Sequence, residues 1–225
     1  NLLIANNILL QNNTILIKCD DDILFFDIFQ FKEACDELAP YLKSSPDAVC
    51  LSVAAGINTV DIVRWLNHAK IVRAMPNTPA LIAQGMTGLF ATSAALESDR
   101  LIAQTICNAV GKTIWVDQEH LMNAVTALSG SGPAYVFAFL EALENAANEL
   151  GIDNATGRTL AIQTVLGAAN LAALSNDSPA TLREKVTSKG GTTFAALEVL
   201  RQENWSKIIS KALAAANARG AEMGE

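Results

Sequence analysis

Three short stretches carry residues whose types and spacing suit ligand chemistry. The first, LSVAAGI from Leu51 to Ile57, runs an apolar segment into small residues and a glycine. At the carboxyl end of a parallel strand, small residues let a flat ligand approach the backbone, and open α/β sheets bind ligands at that edge. Many strands also end in Ala-Gly merely to turn. The second, RAMPNTP from Arg73 to Pro79, sets prolines on either side of Asn77 and Thr78. The two rings fix an extended, rigid loop that holds one amide and one hydroxyl in set directions. Those groups suit a preorganised contact to a ligand, and equally a turn in which they satisfy their own backbone. The third is VTSKGGTT, Val186 to Thr193, just where an apolar helical pattern begins. Glycine permits positive φ and close approach, so amides of Gly190, Gly191 and Thr192 can converge on an anion where the helix dipole favours negative charge. A carboxylate or phosphate fits there, with the Thr193 hydroxyl beside it free to donate a hydrogen bond. A helix-to-helix turn capped by Thr192 or Thr193, a cap being worth about 1 kcal/mol, uses the same residues without a ligand.

The elements that position these stretches change character near Asp117. Before it come short apolar runs, Ile15 to Ile17, Ile23 to Phe26, Val49 to Val53 and Ile71 to Ala74, separated by helical stretches such as Phe31 to Leu42 and Thr59 to Leu66. That alternation predicts β-α units and a parallel sheet. The run Thr113 to Val116 reads as a last strand, and the chain is helical in pattern thereafter. Two domains follow, residues 1–116 and 117–225. In the second, Pro133 opens a helix whose apolar positions run from Val136 to Leu150, and Gly151 suits the residue just past its end. Small residues between Ala155 and Leu174 let a second helix pack close. Ser178-Pro179 makes a good helix start, and further helices are predicted over Thr193 to Gln202 and Asn204 to Met223. These alanine-rich helices carry apolar residues on more than one face, which predicts interlocking with a second copy in an obligate homodimer. A self-contained bundle is the alternative.

Composition narrows the function classes. A net charge of −7 with no basic stripe argues against a nucleic-acid partner. No apolar run reaches the roughly 18 residues a membrane helix needs, and the first residues of this sequence do not read as a signal peptide, so a cytoplasmic protein is expected. Cys19, Cys35, Cys50 and Cys107 are widely spaced, without a C-x-x-C pair, so no metal site is read from them and reduced, buried thiols in a cytoplasmic protein are expected.

Taken together, AAG after a strand, RAMPNTP, ALSGSGPAY at Ala127 to Tyr135 and VTSKGGTT, in that order and at these separations, resemble Δ1-pyrroline-5-carboxylate reductases. The resemblance runs from about Phe31 onward. It implies an α/β Rossmann-type N-terminal domain that binds NADPH or NADH, plus an all-α C-terminal dimerisation domain. It also implies an active site between the dinucleotide-binding domain of one subunit and helices of the other, and for many members a ring of dimers. The reaction it implies is reduction of the ring imine of pyrroline-5-carboxylate to L-proline, the last step of proline biosynthesis. By the same resemblance Thr193 is the catalytic residue, donating to the ring nitrogen, while Gly190, Gly191, Thr192 and Ser188 hold the substrate carboxylate. Val53, Ala55, Gly56, Met75, Pro76, Asn77 and Thr78 would line the nicotinamide side. Lys185 stands at a substrate-binding position that members often fill with an asparagine touching both ligands, and Lys189 where many have proline. A larger departure lies at the front. The family opens with a strand, a G-x-G-x-x-G turn and a helix, whereas here no glycine precedes Gly56. We expect this chain to join segments from which loops are omitted, the natural protein being longer. Two other readings use the same residues: a related reductase for another imine or hydroxy acid, and a non-enzymatic dimeric binding protein.

Overall fold

The computed structural model describes residues 3–5, 8–11, 14–17 and 28–224. Seven strands form one sheet in sequence order: β1 (Leu3–Ala5), β2 (Ile8–Gln11), β3 (Thr14–Ile17), β4 (Val49–Ser52), β5 (Ile71–Met75), β6 (Gly85–Ala91) and β7 (Gly111–Trp115). Helix α1 (Ile28–Lys43) joins β3 to β4, α2 (Thr59–Leu66) joins β4 to β5, and α3 (Glu97–Asn108) joins β6 to β7. Each of those three pairs is parallel, as a strand-helix-strand crossover requires. The expected parallel sheet is nonetheless mixed, because β5 and β6 are antiparallel, and so are β1 with β2 and β2 with β3. The turn between β5 and β6 is too short for a crossover: a single 3-10 segment, Thr78–Ile82, reverses the chain. The expected strand at Ile23 to Phe26 and the cysteine at position 19 lie outside the described residues, as does much of the front of the chain where segments are expected to join.

Alternation along the central strands feeds two cores. Cys50 and Ile71 face α1 and α2, joining Phe31, Cys35, Leu38 and Leu42 of α1, whose spacing of three and four puts them on one helix face. Val49, Leu51, Val72 and Ala74 face the other way, with Leu89, Ala103 and Cys107. Both faces of β4 and β5 are thereby covered, and the residues leaving their carboxyl ends are held by a rigid sheet.

After β7 the described chain is helical: α4 (Leu121–Val125), a π-turn (Thr126–Gly130), α5 (Gly132–Glu149), α6 (Asn154–Leu174), α7 (Pro179–Lys185), α8 (Thr192–Gln202) and α9 (Trp205–Glu222). Asp153 caps α6 by accepting from the Ala155 and Thr156 amides, and Ser178 caps α7 by accepting from Thr181, with proline in the first turn. Gly151 takes a φ of +87° past the end of α5, as its place in the sequence predicts. Residues 1–133 with 213–225 make one compact unit and residues 134–212 a second. No helix of the described residues is long and apolar enough to cross a membrane.

Candidate active site

Because β4 and β5 are parallel neighbours, Val53, Ala55 and Gly56 leave the sheet at the same edge as Met75, Pro76, Asn77 and Thr78. Gly56 has a φ of +75°, and a β-carbon there would lie 3.0 Å from Cβ of Met223, so both conformation and space require glycine. The close neighbour is the end of α9. Asn77 is held within the first unit: its Oδ1 accepts the Met86 amide at 2.8 Å, while its Nδ2 donates to the Ser129 carbonyl at 3.1 Å and the Ser129 hydroxyl at 3.3 Å. Its amide thus serves to brace the loop between β6 and the π-turn. Val53, Met75, Pro76 and Thr78 are half-buried and Ala55 is exposed, leaving an apolar border with one hydroxyl. These residues fit the nicotinamide end of a dinucleotide, which is flat and largely apolar on its ring faces. A glycine-rich turn for the pyrophosphate does not occur among the described residues.

A second set of polar groups lies beneath this edge. Arg73, on the doubly covered strand β5, is only 4% exposed, and a charge so buried must be paired. Its Nη1 donates to Glu119 Oε1 and to Asn58 Oδ1, each at 3.1 Å. The same Glu119 carboxylate accepts from the Thr59 amide and the Thr59 hydroxyl, both at 2.6 Å. Sequence reasoning missed Glu119 because its partners stand 60 and 46 residues away. The one available signal was an arginine inside a strand otherwise apolar on both faces. Cys50 lies in the same sheet, but burial, and next the neighbouring Cys35, push its thiol up to about 12, and burial pushes Cys107 up to about 11. Neither carries a thiolate at neutral pH, so both are packing residues.

The other candidate residues lie in the second unit. Gly190 has a φ of +75°, and Gly191 is the N-cap of α8 without any side-chain cap. The capping role considered for Thr192 or Thr193 is therefore not taken up. The Gly191 amide donates to the Ser188 carbonyl at 3.0 Å, closing the turn, and Ala195 is the first amide of α8 with a backbone acceptor. The Gly191 amide is thereby withdrawn from the expected cradle, while the amides of Thr192, Thr193 and Phe194 have no acceptor among the described residues. A β-carbon on Gly191 would sit 2.6 Å from the Ser188 hydroxyl oxygen, which places that hydroxyl at the mouth of the helix. Thr193 is exposed and its hydroxyl makes no hydrogen bond among the described residues. Lys185, at the end of α7, directs its ammonium to Asp177 in an exposed pair; such a pair is worth roughly 0–1 kcal/mol and is readily given up. Lys189 stands in the turn itself. The arrangement offers an anion three backbone donors, a hydroxyl and the positive end of an eleven-residue helix.

An α/β layer with a ligand-type edge, followed in the same chain by helices bearing an uncapped anion seat, defines a two-part protein of the dinucleotide-binding α/β class. Residues 119–223 match the family model described as pyrroline-5-carboxylate reductase dimerisation. The pyrroline-5-carboxylate reductase of Haemophilus influenzae is 46% identical over 212 residues, covering 92% of this chain and 76% of that one. A solved pyrroline-5-carboxylate reductase from Coxiella burnetii aligns with a TM-score of 0.86 at 41% identity, covering 95% of this chain and 76% of that one. The Plasmodium falciparum enzyme, solved with NADP bound, aligns with a TM-score of 0.79 at 27% identity, over 87% of this chain and 77% of that one. The chain belongs to the pyrroline-5-carboxylate reductase family.

Proposed function

We propose that this chain reduces the ring imine of Δ1-pyrroline-5-carboxylate to L-proline with NADPH or NADH, acting as a homodimer in the cytoplasm. The observation that carries the reading is the open N-terminus of α8, with the Thr193 hydroxyl unengaged beside free amides and Ser188. A substrate with a carboxylate next to a ring nitrogen matches that pattern of donors. The Thr192 and Thr193 amides with the Ser188 hydroxyl bind the carboxylate, and Gly190 and Gly191 leave room for its approach. Thr193 then donates to the ring nitrogen and orients the imine carbon, while Lys185 screens the charged group from the side. Val53, Ala55, Gly56, Met75, Pro76 and Thr78 border the nicotinamide, and Asn77 keeps that border rigid. When bound, the reduced nicotinamide supplies a hydride to the imine carbon. No side chain in these motifs is a strong general acid, so holding the two rings in register accounts for much of the rate.

Residues 1–116 serve the cofactor and 117–225 the substrate and dimerisation in this reading. The site is completed between the dinucleotide-binding part of one subunit and the helices of the other, and dimers assemble further into a ring. The family match to a dimerisation model supports the pairing. NADPH oxidation on addition of pyrroline-5-carboxylate tests the activity. Thr193→Ala should lower kcat/KM by about 10- to 100-fold, the worth of one hydrogen bond to a nitrogen that gains electron density as the hydride arrives. Unchanged turnover in that variant would refute the role of the hydroxyl, and full-length protein without any oxidation would favour a binding protein.

A further inference from the structure

Glu119 joins segments that border the nicotinamide edge from two sides. It stands in the connection from β7 to α4, and its carboxylate takes the Thr59 amide, the Thr59 hydroxyl and the Arg73 guanidinium. Asn58 is the N-cap of α2, yet its side chain makes no cap bond. Its Oδ1 faces Arg73, and its Nδ2 donates to the Gly224 carbonyl at 3.0 Å. A carboxylate 60 residues away therefore does for α2 what a cap residue ordinarily does, and it places negative charge where the helix dipole favours it. Thr59 directly follows the Val53 to Asn58 turn, and Arg73 directly precedes Ala74 and Met75. Both loops of the edge are thus anchored to the same two oxygen atoms. Arg73 is almost wholly buried, so its charge has no water to turn to and depends on this partner.

We infer that Glu119 is a positioning residue that holds the two loops of the nicotinamide edge in register and thereby sets affinity for the reduced cofactor; this rests on the function proposed above. Preorganised loops lose little order on binding, and loops released from a common anchor must be ordered at the moment of binding. The network lies wholly within the first unit, and among the described residues it shares no hydrogen bond with the loop before α8, so the effect is expected on the cofactor.

Full-length wild type, Glu119→Gln and Thr59→Val are titrated with NADPH by fluorescence without imine, then assayed with both substrates varied and melted. Glu119→Gln keeps an oxygen for Thr59 but loses the charge facing Arg73; Thr59→Val leaves the ion pair intact and is the milder variant if the first folds poorly. NADPH Kd and its KM should rise about tenfold in Glu119→Gln and about three- to fivefold in Thr59→Val, with KM for pyrroline-5-carboxylate within twofold. Melting temperatures that fall while NADPH Kd stays within twofold would reduce Glu119 to a brace of the fold and overturn the inference. Kd for NADPH and KM for the imine rising in step would overturn it as well. Wild type that binds NADPH but does not oxidise it with the imine would sink the functional reading alone, since the comparison of Kd values needs no turnover.

Discussion

At Gly191 a hydrogen is the side chain that leaves the Ser188 hydroxyl in place. The conformation there is ordinary extended backbone, with φ −79° and ψ 176°, so the requirement is space and not strain. The nearest atom to an added β-carbon is the Ser188 hydroxyl oxygen at 2.6 Å, which can rotate away. Gly191→Ala should therefore fold, with a melting temperature close to wild type, and should raise KM for pyrroline-5-carboxylate about tenfold as one donor to the carboxylate is turned aside. Steady-state assays beside a thermal melt check this; a large loss of stability with an unchanged KM would contradict it. The glycine pair and its hydroxyl neighbours were legible in the sequence because their chemistry is local. The Arg73, Glu119 and Thr59 cluster was not, since each member is unremarkable until the sheet and α2 bring all three together.

Among the elements, β4, β5 and α2 stand where apolar runs predict them, and α7 starts at the Ser178 cap as expected. Strand β6 escaped prediction: GMTGLFA contains two glycines and no β-branched run, and its pairing comes from β5 and β7 on either side. Its antiparallel pairing with β5 is one of the three that make the sheet mixed, beside β1 with β2 and β2 with β3. It also explains Asn77, whose bonds to Met86 at the start of β6 and to Ser129 in the π-turn stitch three elements together. The motif allowed a ligand contact or a structural turn for that amide, and the placement of β6 and the π-turn supplies its partners. Asn77→Ala leaves the Met86 amide and the Ser129 groups without this partner, at a cost of about 1–3 kcal/mol. Urea unfolding of the first unit's signal, followed through Trp65 and Trp115 fluorescence, should show that loss, and a midpoint equal to wild type would refute the bracing role.

For the whole molecule the decisive fact lies in the second unit, where Gly157 and Ala161 are the buried residues. A helical unit of that length with two small buried positions has no core of its own. Apolar side chains that would ordinarily fill one are open in the single chain, among them Phe137 at 62%, Leu171 at 57% and Ile208 at 52% exposed. A second copy of the same helices, brought together by a two-fold axis, offers cover for such residues, and every large side chain buried is worth about 1.5–3 kcal/mol. Light scattering should give at least twice the chain mass of 23.9 kDa at micromolar concentration. Phe137→Glu should lower that mass or the helical signal, and a wild type found wholly as monomer would remove the dimer.

The open N-terminus of α8 has one more consequence. Helices α6 and α7 carry their own caps, while α8 has free amides and, among the described residues, no side chain to meet them. Under the proposed function the substrate carboxylate would be the missing cap, so part of its binding free energy would also be folding free energy. Substrate concentration would then enter the protein's own melting curve, and a melt with and without the imine acid reads that shift.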